Sequence, residues 1–564
     1  MTGSDALLDA LVAQGVEVIF GNPGSTELPL MDSLARPGAP RFVLGLTEAA
    51  VMGMADGYAQ STGSLGVALV HVQPGMANAM SGVLNAARAR VPLLVIVGQQ
   101  LSGMLPGAPF LGGEIVGMAR PIARFAEEVH DPSDLGGLLA RGVRSALGPP
   151  AGPAVLSVPL ESQAGTCPTL PALPRGPRAL PSPDAGAIAA AAALLAGAHD
   201  PVILVGDGVS HAQAGADAMR LAARLGAPMW GEPFAARVAV PTGDPLWAGP
   251  MPRFAAGIRE VLGGHDVVLA IGMPVFRLFG WSPGPSLPPG VRLVHIDVDP
   301  DEIGRCHIPD VGMVADPAAV MDGLLAALGP ATPRDEERRR RAAAAVLTAR
   351  ANAVAALDAR AAADGPAITG AALSRGLGGR VQRTDLVVDE GITSTRDLRT
   401  AIGDRAPGSV LWHRGSALGW GLPAAVGASI GDPARRVVCA QGDGSLMFGM
   451  HALWTAAHDR CRLALVVGDN SGYEILRAGM EGLTGAADGG WPGLAVADPA
   501  LDIAALCRGF GASAAHVSDP ADLDAAIVDV LDRAADGPAV LVARVEGRTP
   551  PVGGPLGPAL APSA

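Results

Sequence analysis

Lysine is missing from this chain altogether, and aromatic residues make up only 3% of its 564 residues. All 41 basic side chains are therefore arginine. The replacement of lysine and isoleucine by alanine, glycine and arginine reads first as GC-rich coding bias, which makes alanine runs weak evidence of structure. The arginines do not cluster with the aromatics, and the net charge is −13. That combination argues against a nucleic-acid partner. Cysteine is scarce as well. Cys167, Cys306, Cys439, Cys461 and Cys507 are dispersed, with no CxxC and no histidine at zinc-finger spacing. Free thiols in a cytoplasmic protein are expected. No apolar run reaches the roughly 20 residues that cross a bilayer, so no membrane association is expected. The start, MTGSDALLDALVAQGVEV, lacks the basic and apolar blocks of a signal peptide. It reads as an amphipathic helix leading into a strand.

Half the residues are apolar and 17% are charged, the balance of a folded protein. The 76 glycines and 50 prolines follow no collagen-like period. A chain this long exceeds one hydrophobic core and implies three or four domains. Short apolar strands alternate with helices, the pattern of doubly wound parallel α/β domains. Strands are expected at Val16–Phe20, Phe42–Leu46, Gly66–Val72 and Leu93–Val97, and again at Leu386–Val388, Arg436–Ala440 and Leu463–Val467. PVILVGDGVS, VVLAIGMPV and VRLVHIDVD supply a third unit between them.

The outer units resemble each other. EAAVMGMADGYAQSTG precedes the strand GVALVHVQPG, a helix and VPLLVIVGQ. LPAAVGASIGDPARR precedes VVCAQGDG, a helix and CRLALVVGD. Gln73 to Gly98 spans 25 residues and Gln441 to Gly468 spans 27, as two domains of one topology would require. The expected division is 1–164, a linker at 165–183, a central α/β domain at 184–330, a charged helix and linker at 331–364, and a last domain at 365–548. The tail, 549–564, is expected to be disordered.

The most informative stretch is Gly442-Asp443-Gly444-Ser445, with Asn470 27 residues after Asp443. Glycines flanking an aspartate at a strand end let backbone approach a bulky anion. The following helix, SLMFGMHALWTAAH, would aim its N-terminus at that anion. A 27-residue gap is one strand–helix–strand crossover, so Asp443 and Asn470 emerge side by side at the carboxyl edge of a parallel sheet, where such sheets bind ligands. Both supply hard oxygens for Mg²⁺, with phosphate and water completing the shell. GDGV at 206–209, without a paired asparagine, reads as a plain loop.

The GDGS…Asn470 pair resembles the motif shared by thiamine-diphosphate (ThDP) enzymes, although Asp469-Asn470 stands where that family usually writes two asparagines. FGNPGSTELP (20–29), TEAAVMGMADGYAQ (47–60), VHVQPGMANAM (70–80), VIVGQQ (95–100), GMPVFR (272–277), ALWTAA (452–457) and GYEILR (472–477) extend the resemblance along nearly the whole chain, to the benzoylformate decarboxylase family. It implies three α/β domains: pyrimidine-binding, central and diphosphate-binding. It implies Glu48 as the carboxyl group that activates the cofactor, a role favoured by an apolar site that raises the carboxyl's pKa. It implies the carbonyl of Gly472 as a third metal ligand, and Asn22, Pro23, Gly24 and Ser25 as the loop at the reacting end. It implies Leu418 as the apolar prop that bends the cofactor. Thr393, Ser416, Gly442, Gly444, Ser445, Tyr473, Glu474 and Ile475 are further implied cofactor contacts.

His71 falls on the family's proton-shuttling histidine, a role its pKa range suits. Ser25 is a candidate for the substrate carboxylate, and Leu476 for the pocket wall. The family's second histidine is replaced by Phe279, which leaves His413 and Arg414 as candidates for its work. The resemblance also implies a homodimer or homotetramer with sites between subunits. FAD is not favoured, because VGDGVS lacks the further glycine of a dinucleotide fingerprint. The expected activity is 2-oxo acid decarboxylation to an aldehyde. Its nearest rival is acetolactate-synthase-like ligation to an acceptor aldehyde, and the others are an NAD-linked oxidoreductase and a non-catalytic paralogue.

Overall fold

Aliphatic runs form three parallel sheets of six strands in the computed structural model, which describes residues 1–167, 180–363, 365–415, 417–486 and 490–547. The first sheet holds β1 (Val18–Asn22), β2 (Arg41–Leu44), β3 (Gly66–Val70), β4 (Leu93–Gln99), β5 (Phe125–Glu128) and β6 (Pro153–Pro159). The middle sheet holds β7 (Pro201–Val205), β8 (Met229–Gly231), β9 (Trp247–Pro250), β10 (Val267–Ile271), β11 (Arg292–Asp297) and β12 (Val311–Val314). The third holds β13 (Leu386–Glu390), β14 (Val410–Trp412), β15 (Val437–Gly442), β16 (Leu463–Asp469), β17 (Ser513–Val517) and β18 (Ala539–Arg544). The first sheet is ordered β2-β1-β3-β4-β6-β5 and the third β14-β13-β15-β16-β18-β17. Strand for strand these are one topology, and the self-similarity of the two outer segments has this origin. β3, β4, β10, β15 and β16 are buried on both faces, which is why they read as unbroken apolar runs rather than alternating ones.

The expected strands differ from the observed ones mainly at their ends. The segment expected as Gly66–Val72 ends at Val70, because His71 caps the helix Val72–Ala89. The helix expected after Asp443 is two, Asp443–Gly449 and Ala452–His458. The tail, Ser416 and most of the linker at 165–183 lie outside the described residues.

The two outer units pack through the helices Glu48–Thr62 and Gly421–Gly431, and glycine allows the close approach. A Cβ on Gly57 would stand 2.0 Å from the Ala424 carbonyl oxygen, and one on Gly427 would stand 1.8 Å from the Met54 carbonyl oxygen. Both obstacles are backbone, so a side chain can be admitted only by separating the helices. Gly57→Ala is expected to destabilise by about 3 kcal/mol or more, the upper range for overpacking. Scanning calorimetry checks this, and an unchanged melting profile would show that the crossing relaxes freely.

The helix Pro333–Ala361 has 29 residues and a mean hydropathy of 1.2 in its most apolar window, enough by length and composition to cross a membrane. This differs from the sequence expectation, since arginines interrupt its apolar runs. Its first turns are tied to the middle unit: Arg224 reaches Asp335 at 2.7 Å, and Arg338 donates to the carbonyls of Leu225 and Ala198.

Candidate active site

The carboxyl edge of the third sheet gathers the GDGS residues and Asn470. β15 ends at Gly442 and β16 at Asp469, neighbours in register through Gly442 and Gly468. The amide of Gly472 donates to Asp443 Oδ2 at 3.2 Å and to Asn470 Oδ1 at 3.1 Å, and so draws the two oxygen donors together. Asp443 Oδ1 accepts the Gly444 amide at 2.8 Å. Burial, reinforced by neighbouring Asp469, pushes the Asp443 carboxyl up to about 6. Asp469 itself accepts from Ser471 and from Arg544 at 3.2 Å. A carboxylate crowded by Asp469 and set beside a carboxamide oxygen is a hard-oxygen pair whose repulsion a divalent cation would relieve, and the residues fit such an ion. The Tyr473 ring covers Gly444, where a Cβ would meet it at 2.9 Å. Ser445, buried, donates to the carbonyls of Gly442 and Glu390 at 3.1 and 3.3 Å. Thr393 follows β13 and is half-buried. Glu474 is buried, Ile475 half-buried, and Leu476 is exposed at the start of the helix Glu474–Thr484.

Leu418 is 40% exposed on a loop held from three sides. Glu390, fully buried at the end of β13, accepts the amides of Gly419, Trp420 and Gly421 and the side chain of Gln441. Burial pushes its carboxyl up to about 8 against the pull of those donors. Asn85, from the first unit, pairs with both backbone groups of Ala417 at 2.9 and 3.1 Å. Gly419, at φ +88°, lies against Phe448 and Gly449 of the following helix. Neither Glu390 nor Asn85 was expected. The acid that closes LVVDE was a readable signal for the first, but nothing local marks the second.

The matching edge of the first sheet carries the other cluster. Asn22 ends β1 and donates to the Gly45 carbonyl at 2.9 Å. Glu48 opens its helix half-buried, its Oε2 accepting from Asn78 at 3.0 Å. His71 follows β3, and its Nδ1 lies 2.8 Å from Glu27 and 3.1 Å from Thr26. Glu27, fully buried, also accepts the Gly24 amide at 2.7 Å. A Cβ on Gly98 would fall 1.6 Å from its Oε1, and one on Gly24 would fall 2.3 Å from the His71 ring. Glycine at both positions is what lets this pair form. Glu27, which orients His71, escaped the sequence reading. Pro23 is half-buried and Ser25 exposed beside the pair.

Among the described residues, no hydrogen bond or ion pair joins Asn22, Ser25, Glu48 or His71 to Asp443, Asn470 or Gly472. The two sets stand at equivalent edges of equivalent sheets.

The candidates for the missing second histidine fall out differently. Arg414 is not free: its guanidinium is buried between Asp207 and Glu232 of the middle unit. The same contact corrects the reading of Gly206-Asp207-Gly208 as a plain loop. Asp207 opens the helix Asp207–His211 and anchors Arg414. His413 is buried against Trp412, with ring centroids 4.8 Å apart. Burial, with Arg253 and Arg399 adding to it, lowers its pKa to about 4, so at neutral pH it is an uncharged ring. Phe279 is 46% exposed and stacks on Phe234, which stacks on Trp412.

Three family models match the chain: the thiamine pyrophosphate enzyme N-terminal TPP binding domain at residues 1–112, the central domain at 188–324 and the C-terminal TPP binding domain at 395–543. Benzoylformate decarboxylase of Pseudomonas aeruginosa is 33% identical over 548 residues, 96% of this chain and 98% of that protein. Acetolactate synthase isozyme 1 large subunit of Escherichia coli is 25% identical over 97% of this chain and 94% of its own length. The solved thiamine diphosphate-dependent 4-hydroxybenzoylformate decarboxylase of Rhodococcus jostii superposes with a TM-score of 0.86 at 30% identity, over 97% of this chain and 99% of its own.

Proposed function

This chain belongs to the thiamine pyrophosphate enzymes, and we propose that within them it is a magnesium-dependent decarboxylase of a 2-oxo acid, releasing CO₂ and an aldehyde. The observation that carries this reading is the complementarity of the two half-sites: an oxygen donor set at Asp443, Asn470 and Gly472, and an acid–base set at Glu48 and His71. Bound ThDP supplies the electron sink for the carbon that loses its carboxylate. Asp443, Asn470 and the Gly472 carbonyl would hold magnesium against the diphosphate. Leu418, on its tied-down loop, would support the bend of the cofactor. Glu48 would hold a proton at the pyrimidine ring. His71, oriented by Glu27, would move one at the substrate oxygen, with Ser25 exposed beside it to take the substrate carboxylate. No hydrogen bond or ion pair among the described residues joins Glu48 to the Asp443 edge within one chain, and a second copy would supply it, making a homodimer the smallest active unit.

A second reading, ligation to an acceptor aldehyde, is favoured by Phe279. A phenyl ring transfers no proton, so protonation that completes aldehyde release is slowed and the acceptor has time to react. Mass-spectrometric product analysis of the ThDP- and magnesium-loaded enzyme tests both readings, over a panel of 2-oxo acids with and without acceptor aldehydes. Aldehyde without acceptor is expected, and turnover of no 2-oxo acid would sink the proposal. Phe279→His is expected to raise the aldehyde-to-acyloin ratio. A well-placed general acid contributes roughly 10²–10⁴-fold, so a shift of at least about threefold is the outcome to look for. An unchanged ratio in the folded, cofactor-bound variant would place protonation elsewhere.

A further inference from the structure

Two arginines near the proposed site form no ion pair among the described residues. Arg253, just before the middle-unit helix Ala255–Leu262, lies with its guanidinium 4.9 Å from the ring centre of Trp412 and 5.6 Å from that of Phe234. Arg399, in the short helix after β13, lies 4.9 Å from the same Trp412 ring. Neither side chain forms an ion pair or a hydrogen bond among the described residues. Both are half-buried. Asp389 acts on both and Asp207 on Arg399. Asp207 is already paired with Arg414, and Asp389 Oδ1 already accepts the Gly391 amide at 3.1 Å and the Thr395 hydroxyl at 2.9 Å. Neither acid forms an ion pair with Arg253 or Arg399, so neither guanidinium is directly neutralised. Burial lowers both arginines, Arg253 to about 10 with the like charge of Arg399 adding to it. Holding unpaired cations in a desolvated place is costly. The cost is offset when a ligand brings the missing charge.

The position narrows the ligand. Trp412 ends β14 and leads directly into the loop that carries Leu418, so the arginines border the place where the substrate is held if the reading above is right. Phe234 stacks 5.8 Å from Trp412, and Phe279 follows 6.4 Å from Phe234, edged by Phe254. Aromatic walls of this kind suit an apolar body with a charged end. The magnesium end of the cofactor is a poor candidate, because the metal donors stand at β15 and β16, whereas Trp412, on whose ring both arginines lie, ends β14 on the far side of β13. The carboxylate that leaves as CO₂ is a poor candidate too. It loses its charge in the transition state, and two cations on it would stabilise the ground state more, which slows the step. A charge that persists throughout fits.

We propose that Arg253 and Arg399 form a subsite for a second carboxylate, so that the preferred substrate is a 2-oxo acid with a further anionic end beyond an apolar segment. This rests on the decarboxylase reading for the reaction but not for the binding. Two matched pairs test it with the loaded full-length enzyme: 2-oxoglutarate against 2-oxopentanoate, and 4-carboxybenzoylformate against benzoylformate. In at least one pair kcat/KM is expected to favour the dianion by about tenfold or more, carried mainly by KM. A charge-assisted hydrogen bond is worth about tenfold to a hundredfold, so Arg399→Gln and Arg253→Gln are each expected to collapse that ratio toward one. Arg399→Lys and Arg253→Lys, which keep the charge, are expected to restore part of it. A wild type indifferent to the second carboxylate in both pairs overturns the proposal. So do variants that lower both members of a pair equally, and variants that lose bound ThDP, which would place the arginines at the cofactor. Calorimetric titration of the loaded enzyme with glutarate, which has no ketone to react, separates the two readings. Glutarate binding that disappears in Arg399→Gln supports the subsite even if no 2-oxo acid is turned over, and that pairing of results would count against the reaction alone. Absence of glutarate binding to the wild type counts against the subsite.

Discussion

Asp443→Ala, purified with ThDP and magnesium present, is expected to leave gel filtration without bound cofactor, while the wild type retains close to one per subunit. The reasoning starts from geometry. Asp443 is the only charged member of the proposed metal set, and its two oxygens hold the Gly444 and Gly472 amides in place. Removing it takes away the ligand with the largest electrostatic contribution and also frees the turn that aligns Asn470. Asp469 stands beside it but is engaged by Arg544 and Ser471, so it is poorly placed to substitute. Loss of a partner that merely orients a ligand typically costs 10–100-fold in metal affinity, so loss of a charged ligand is expected to exceed about 100-fold. Chelation of magnesium from the wild type is expected to strip ThDP in the same assay. Full retention of ThDP by Asp443→Ala would remove the metal assignment. Partial retention by Asp443→Asn is compatible with it, since the amide keeps an oxygen donor.

The half-sites differ in how much of them could be read beforehand, and the reason is distance along the chain. Asp443 and Asn470 belong to one strand–helix–strand crossover, so their spacing alone brings them to one sheet edge. The shared topology of the outer sheets was legible for the same reason, because each repeat is a run of local elements. Residues that act across units were not. Asn85 clamps Ala417 from 332 residues away. Arg414 is fastened by Asp207 and Glu232, more than 180 residues distant. Nothing beside Trp412 in the chain announces that Arg253 will lie on its ring. Glu27 is the instructive intermediate case. It sits two residues after Ser25, but only the glycine at position 98 of the neighbouring strand makes room for its carboxylate, and that is a fact about β4 rather than about the loop. Strand ends moved for a related reason: His71 is extended like a strand residue, yet its carbonyl already accepts the first helical hydrogen bond from Gly75.

Glu48→Gln is expected to bind ThDP nearly as the wild type does and to lose most of its activity, by about 10²–10⁴-fold if it acts as a general acid–base group. Binding is spared because the donors for magnesium and diphosphate lie on the other half-site. The fold is spared because glutamine is isosteric: its Oε1 can still accept from Asn78, and the close approach of Gly75, 3.2 Å from a built Cβ to the Glu48 oxygen, admits a side chain of the same size. The competing explanation is that Glu48, in the first turn of the helix Glu48–Thr62, does no more than complement the helix dipole. A contribution of that kind is about 0.3–1 kcal/mol. Glutamine would then lower the melting temperature slightly and leave the chemistry alone. Deuterium exchange at the C2 position of bound ThDP, followed by NMR after acid quench, separates the two, because it reports activation of the cofactor before any substrate is involved. Slow exchange with normal ThDP content and normal melting assigns activation to Glu48. Exchange at the wild-type rate reduces Glu48 to a helix-terminal charge, and the acid that activates the cofactor must then be sought elsewhere.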